Sequence, residues 1–336
     1  MISEGRDRQA LGLALPGKQN ALVRDAIAAA RKQRIRVVAL LFVAGPVDPA
    51  LFAEADAVVD CFYPGEKAGE AIAAVIYGHE SPAGRLPFSW PTTANDVPPE
   101  ANYTMAGRTY RYGQRNVEWG FGHGLSYSRF VYSDGKILTG PSVNASDCQT
   151  IRVSVTVTNT GAVAAEEVAQ GYLEWSGVEP VVETPVRSVF DFRRIMLLSG
   201  QSVTVELSLA PKHYAVLSTP RCGVIPFQNN TELQGKPFEV KLGVPQLGEC
   251  CAVCSSLETC EAFTYLPQTR ECRLYPFWGL TATSSQGGVS GEPLNEWVLR
   301  RSRLQLLVGG SSIAASPVGV VAVRGAEAPL TACRGR

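Results

Sequence analysis

Nine cysteines carry much of the reactive chemistry in this 336-residue chain, and six of them, Cys222, Cys250, Cys251, Cys254, Cys260 and Cys272, fall in one segment. Such density in a short stretch reads as a disulfide framework, which forms in oxidising compartments. A zinc site is the competing chemistry. It needs a second Cys-X-X-Cys or a histidine partner, and neither follows Cys251-Ala-Val-Cys254. The three histidines, His79, His123 and His213, are scattered, with no second ligand at metal spacing. There is no His-X-X-Glu-His, no Gly-X-Gly-X-X-Gly after a strand and no serine nucleophile elbow, so no metal or cofactor is implied. Glu66, in Tyr63-Pro-Gly-Glu66, sits where a strand should end and a helix begin, the usual place for ligand contacts in an open α/β sheet. A carboxylate there also suits the positive end of a helix dipole.

The charge balance narrows the partners. Thirty-one basic and 31 acidic residues give a formal net charge of zero. This argues against nucleic acid or a charged membrane surface as the main partner. No apolar run approaches the roughly 18 residues that a spanning helix needs. Met1-Ile-Ser-Glu-Gly-Arg does not read as a secretory leader, whereas the cysteines and three Asn-X-Ser/Thr sequons, at Asn102, Asn144 and Asn229, fit a secreted product. The two are reconciled if the chain is the C-terminal part of a longer secreted protein.

The elements that must position these groups change character along the chain. Residues 20–32 have apolar positions near helical spacing. Residues 35–43 and 55–61 read as strands of a parallel sheet, 67–77 as a helix ended by Gly78, and 84–90 as a returning strand. This is a partial α/β layer over 1–100. From Arg108 to Tyr127 the chain carries Tyr110, Tyr112, Trp119, Phe121 and Tyr127, with glycines at 120, 122 and 124. Rings this large need a surface to bury them, so 101–128 reads as a clamp between the α/β layer and a β-rich region. In that region, 129–219, Ile151, Val153, Val155 and Val157 alternate with polar residues, as do Val203, Val205, Leu207 and Leu209. Period two with turn signals implies an antiparallel β-sandwich, with Phe190, Phe192 and Ile195 in its core. Residues 220–298 form a cysteine-rich module. Residues 299–336, rich in Gly, Ser, Ala and Pro without period, read as largely disordered, where 304–308 could add one strand.

Gly107-Arg-Thr-Tyr-Arg-Tyr followed by Phe121-Gly-His-Gly-Leu-Ser-Tyr-Ser-Arg-Phe resembles the junction in glycoside hydrolase family 3. There an α/β-sandwich domain meets a fibronectin-III-like domain. The resemblance extends to Glu4-Gly-Arg-Asp-Arg, Leu15-Pro-Gly-Lys-Gln, Tyr63-Pro-Gly-Glu and Gly84-Arg-Leu-Pro-Phe-Ser-Trp-Pro upstream. Downstream it includes Val157-Thr-Asn-Thr-Gly and Phe192-Arg-Arg-Ile, so that it spans roughly 1–217. It implies hydrolysis of terminal β-linked sugars, as in β-xylosidases and β-glucosidases, with an oligosaccharide or polysaccharide as substrate. That reaction usually takes two carboxyl groups flanking the scissile bond. In the family the nucleophile is an aspartate on a preceding barrel domain, and no barrel-length segment occurs here. The second carboxylate comes from the α/β domain, and the resemblance places Glu4 in that acid/base position. Arg6 and Arg8 are its neighbours in sequence. A nearby cation lowers a carboxylate pKa, the opposite of what a general acid needs, so Asp7 is their better partner.

Cys250-Cys-Ala-Val-Cys254, Cys260-Glu-Ala-Phe-Thr-Tyr265 and Cys272-Arg-Leu resemble the PAN/apple fold, in which a helix is stapled to a small antiparallel sheet. The resemblance puts Cys250, Cys251 and Cys254 on the helix and Cys260 and Cys272 on or beside the strands. On that placement Cys254–Cys260, Cys251–Cys272 and Cys222–Cys250 are the expected bridges. Such modules bind proteins or carbohydrates. The alternative to an enzyme fragment is therefore a non-catalytic carbohydrate- or protein-binding protein made of the sandwich and this module.

Overall fold

The computed structural model describes residues 12–99, 102, 104–113, 116–176, 185–217, 228–234, 236–257, 260, 262–276, 282–291, 297–299, 302–311, 314–324, 328–329 and 333. Helix α1 (Gln19–Lys32) buries Ile27 and ends on Arg31 and Lys32, cations suited to the negative end of its dipole. Strands β1 (Val38–Leu41) and β2 (Ala57–Asp60) pair in parallel, Val38 opposite Ala57 and Leu41 opposite Asp60. Both are shorter than the apolar runs suggest. Helix α2 (Ala68–Ile76) follows and is ended by Gly78 at φ +74°. The core of this part is Leu41, Val47, Leu51, Phe52 and Trp90. The Trp90 indole donates to Val47 O at 2.8 Å, which satisfies the one polar atom of a fully buried ring.

The segment 84–90 does not return to the parallel sheet. Leu86 N donates to His123 O and Gly122 N donates to Leu86 O, each at 2.8 Å. Only β3 (Trp90–Pro91) is strand, antiparallel to β4 (Val117–Trp119). Backbone groups expected in the parallel sheet are thus committed to the aromatic segment instead.

Beyond the aromatic segment the chain builds two sheets around one core. β5 (Phe130–Ile137), β7 (Ile151–Asn159) and β10 (Ser202–Leu209) form a three-stranded antiparallel sheet in the order β10-β7-β5, with the short β6 (Ser142–Asn144) and the longer β8 (Ala165–Ser176) and β9 (Ser188–Leu197) belonging to the second. Ile151, Val153, Val155 and Val157 all point into the core, as their alternation requires. Phe190 is buried, but Phe192 is 62% exposed, against expectation. Between β8 and β9 the register shifts at Gly171/Tyr172, where Phe190 is the extra residue. A bulge there reverses the alternation and turns Phe192 outward. A short helix α3 (Pro211–Tyr214) leads to β11 (Val216–Leu217).

The cysteine-rich segment is a separate layer. β12 (Gln228–Leu233), β13 (Glu239–Lys241), helix α4 (Leu247–Ser255), β14 (Ala262–Leu266), β15 (Glu271–Tyr275) and β16 (Ala282–Gly291) give a five-stranded sheet in the order β12-β16-β14-β15-β13. Its core joins Cys250, Cys251, Cys254, Cys260 and Cys272 to Phe263, Tyr265 and Leu274.

The remaining residues overturn the expected disordered tail. After β17 (Trp297–Leu299), β18 (Ser302–Gly309) pairs with β8, and β19 (Ser316–Arg324) pairs with β18 and, in parallel, with β6. The second sheet therefore reads β6-β19-β18-β8-β9. Leu304, Leu306, Val308, Val321 and Val323 are buried in the same core as β7 and β10. The composition of 299–336 concealed this, because the alternating apolar residues are few and are separated by Gly, Ser and Ala. The last strand, β20 (Ala328–Pro329), lies beside β17 in a three-stranded sheet, β11-β17-β20. Among the described residues no helix is long and apolar enough to cross a membrane.

Candidate functional site

Two places concentrate functional groups: the end of β2, and the junction made by the aromatic segment. At the end of β2, Asp60 Oδ1 accepts from Phe62 N at 3.1 Å, with Phe62 at φ +51°. Asp60 Oδ2 is buried with no hydrogen-bond partner among the described residues. Burial outweighs the Phe62 hydrogen bond and holds the Asp60 carboxyl above the usual carboxylate value. Cys61 is a free thiol, pushed up by burial and then by the Asp60 charge. Beyond them Tyr63 is 71% exposed and Glu66 is exposed. The acidic residue in the first turn of α2 is Glu70, paired with Lys67 at 3.1 Å.

The junction is held by rings and one buried ion pair. Tyr110 stacks on Phe121 with centroids 4.2 Å apart, and both meet Tyr172 of β8 edge-on. Tyr110 OH accepts from Val189 N at 3.1 Å. Arg85 Nη2 lies 2.8 Å from Glu167 Oε2, with side chains 9% and 6% exposed. Tyr132 OH donates to the other carboxylate oxygen at 3.0 Å. Gln170 Nε2 donates to Gly310 O at 2.7 Å, so the β18–β19 turn is tied to the same region. Gly122 is required here: its φ is +80°, and a Cβ would meet the Gln170 side chain at 2.6 Å. A Cβ on Gly124 would run into the Gly84 carbonyl.

His123 lies in this junction, its ring stacked on Trp119 at 6.3 Å. Burial, and then the Arg85 charge, hold its pKa below the usual imidazole value. The ring is thus packed in the junction, and its environment favours the neutral form. His213 is also held low, by burial first and then Lys212, and its Nδ1 accepts from Ala210 N at 3.2 Å. Among the described residues no three His, Cys, Asp or Glu side chains are placed to hold a metal ion.

Of the site residues expected from sequence, Glu4 and Cys222 lie outside the described residues. Asn102 is exposed, and its Oδ1 accepts from Thr104 N and Thr104 Oγ1 at 3.1 and 2.8 Å. Asn144 is exposed and its Nδ2 donates to Asp147 at 3.1 Å. Asn229 falls within β12. The cysteines are bridged, but not all as expected. Cys254 pairs with Cys260, whereas Cys272 pairs with Cys250 rather than Cys251. Cys250 and Cys254 are four apart on α4 and share one helix face. That face meets β14, where the two sulfurs approach Thr264 O and Ala262 O. Cys251 is buried in the same core and is disulfide-bonded as well. A further bridge, Cys148–Cys333, spans 185 residues of sequence.

The Arg85–Glu167 pair was missed by sequence reasoning. One signal was available: Glu167 falls on the same side of β8 as Ala165 and Ala169, both buried. A carboxylate at an inward position calls for a cation, and the pattern did not say which.

Mixed sheets, few helices and a disulfide-stapled layer define a multidomain chain that joins an α/β part to β-rich parts. Residues 2–127 match the glycosyl hydrolase family 3 C-terminal domain, and residues 227–291 match the PAN domain. The chain thus carries the C-terminal domain of glycoside hydrolase family 3 together with a PAN domain. A beta-glucosidase of Bacteroides ovatus is 31% identical over 226 residues, 62% of this chain and 29% of its own. A beta-glucosidase of Kluyveromyces marxianus is 35% identical over 226 residues, 62% of this chain and 25% of its own. A xylan 1,4-beta-xylosidase of Xylanibacter ruminicola is 33% identical over 154 residues, 46% and 17% of the two chains. The solved structure of beta-glucosidase 3B from Thermotoga neapolitana with glycerol superposes with a TM-score of 0.62 at 21% identity, over 94% of this chain and 35% of that one. This last likeness concerns the fold alone. The chain spans less than a third of the length of these curated relatives.

Proposed function

We propose that this chain is the C-terminal part of a secreted β-glycosidase that hydrolyses terminal β-linked sugars of oligosaccharides or polysaccharides, and that it is inactive alone. The observation that carries this reading is the family 3 match over residues 2–127, continued by identity to β-glucosidases over 226 residues. Retaining hydrolysis needs two carboxyl groups about 5–5.5 Å apart. Glu4 would supply the acid/base, and an aspartate on a barrel domain the nucleophile. The proposed division is an α/β portion over 1–100, a clamp over 101–128, a fibronectin-III-like sandwich over 129–219 that also takes in 302–324, and the PAN module between. Disulfides Cys148–Cys333, Cys250–Cys272 and Cys254–Cys260 support an extracellular, glycosylated product. The test is to express residues 1–336 in an oxidising host and assay aryl β-xylosides and β-glucosides. No turnover above buffer is expected. Turnover that disappears in Glu4→Gln would overturn the proposal.

A second reading, a binding protein without catalysis, is favoured by one observation: the PAN segment has a core of its own, separate from that of the two sheets. Its ligand would be a carbohydrate or a protein. Binding of the full chain to insoluble xylan or β-glucan, with no turnover even when a family 3 barrel is supplied in trans, is the outcome that selects it.

A further inference from the structure

We propose that the Cys148–Cys333 disulfide is a redox latch that fixes the PAN domain relative to the two-sheet body. The PAN segment is an insertion. It leaves the body after β11 and re-enters it at β17, and these two strands pair through only two rungs, Val216 with Val298 and Leu217 with Trp297. The hairpin β18–β19 beyond it completes the body's second sheet. Body and insertion have separate hydrophobic cores. The pairing of β11 with β17 is therefore the stem on which the insertion is carried.

A two-stranded ladder this short is marginal by itself. β20 makes it three-stranded, through Val298 with Pro329 and Leu299 with Ala328. That strand is also weak: it has two residues, and Pro329 has no N–H to donate. Its far side is anchored by Cys333, four residues beyond, which is bridged to Cys148 and packs against the core of the body. Cys148 itself lies just before β7 at the centre of the three-stranded sheet. With the bridge closed, β20 is held between β19 and Cys333. With it open, the covalent tie beyond β20 is lost, and the two-rung pairing of β11 with β17 is the strand pairing left between body and insertion among the described residues.

Access sets the order in which bridges open. Cys148 and Cys333 are half-buried, whereas Cys250, Cys254 and Cys272 are 0% exposed and Cys260 is 8% exposed. An external dithiol attacks one sulfur of the Cys148–Cys333 bond as its thiolate and forms a mixed disulfide. Its second thiol then displaces the protein sulfur. The dithiol leaves as a cyclic disulfide, and its two electrons and two protons end on Cys148 and Cys333 as thiols.

The test uses the full chain. Oxidised protein is titrated with a mild dithiol, thiols are trapped by alkylation and mapped by mass spectrometry, and amide relaxation is recorded at each step. Cys61, free from the start, provides the reference label. Label is expected at Cys148 and Cys333 before any appears at Cys250, Cys254 or Cys272. At that step the PAN amides are expected to lose the correlation time they share with the body and tumble faster. Cys333→Ser should show the same loss without reductant. Should that variant fail to fold, the reduction series on the unaltered chain decides. Labelling of the PAN cysteines in the same step, or a shared correlation time that survives opening of the bridge, overturns the proposal.

Discussion

Arg85 and Glu167 are 82 positions apart in sequence and 2.8 Å apart in space, and together they form the buried ion pair of the junction. Neither charge is well placed for water, so each depends on the other. Removing one partner leaves an uncompensated buried charge, which costs about 3–5 kcal/mol. Arg85→Met and Glu167→Met should each lower stability by that order in urea denaturation. The double variant should lose much less than the sum of the two, because no orphaned charge remains. Additive losses would mean that the two groups do not interact as placed.

Asp60 should make the chain more stable in mild acid than at neutral pH. Its folded pKa is raised above the ordinary value of 3.8, burial being the main cause. The folded state therefore prefers the protonated carboxyl. Below the unfolded value both states are protonated and Asp60 exacts no penalty. As pH rises from there towards the folded pKa the unfolded chain ionises first, and the penalty grows until it levels off above the folded pKa. Asp60→Asn should raise the denaturation midpoint at neutral pH, keep the acceptor for Phe62 N, and converge with the unaltered chain below about pH 4. A variant whose gain is the same at every pH would show that charge is not the cause.

The parts of the fold that sequence made legible are those with uninterrupted period. Ile151 to Val157 alternates cleanly and is buried as that pattern requires. The helix over 68–76 has its glycine stop. Where a bulge reverses the alternation, at Phe190, the reading failed for Phe192. It allowed one strand at 304–308, which is β18, but missed β19 and the pairings of both, because strand partners remote in sequence, β8 and β6, give those residues their surface and no local pattern encodes that pairing. The junction was legible as rings needing a surface, but not as an ion pair, since sequence spacing does not bring Arg85 to Glu167.

Deleting everything after Arg301 should unfold the two-sheet body rather than trim it. Leu304, Leu306, Leu307, Val308, Val321 and Val323 are all at most 4% exposed. Each buried aliphatic side chain contributes about 1.5–3 kcal/mol, and together they rival the whole stability of a domain, about 5–15 kcal/mol. Their loss also leaves β8 as an open edge and removes the Gly310 carbonyl that receives Gln170. The expected result is an insoluble or molten product, read by near-ultraviolet circular dichroism. A soluble fragment with native dichroism and a cooperative transition would show that β18 and β19 are dispensable.

The bridges of the PAN domain should be separable by their place on α4. Cys250 and Cys254 share the helix face that meets β14, and each reaches a different partner: Cys272 on β15 and Cys260 beyond the helix end. An unreduced digest should therefore yield Cys250 joined to Cys272 and Cys254 joined to Cys260. Cys250–Cys272 closes 22 residues and ties the helix to the sheet, whereas Cys254–Cys260 closes only 6 and restrains little beyond one turn. Loop-closure entropy grows with the residues enclosed, so the first bridge should matter more, on the order of 2–4 kcal/mol for a typical disulfide. Cys272→Ser should lower the PAN transition in thermal denaturation more than Cys260→Ser does, and should leave the two-sheet body's transition in place because its core is separate. Recovery of Cys251 joined to Cys272, or an equal loss from both substitutions, would contradict this placement of the helix.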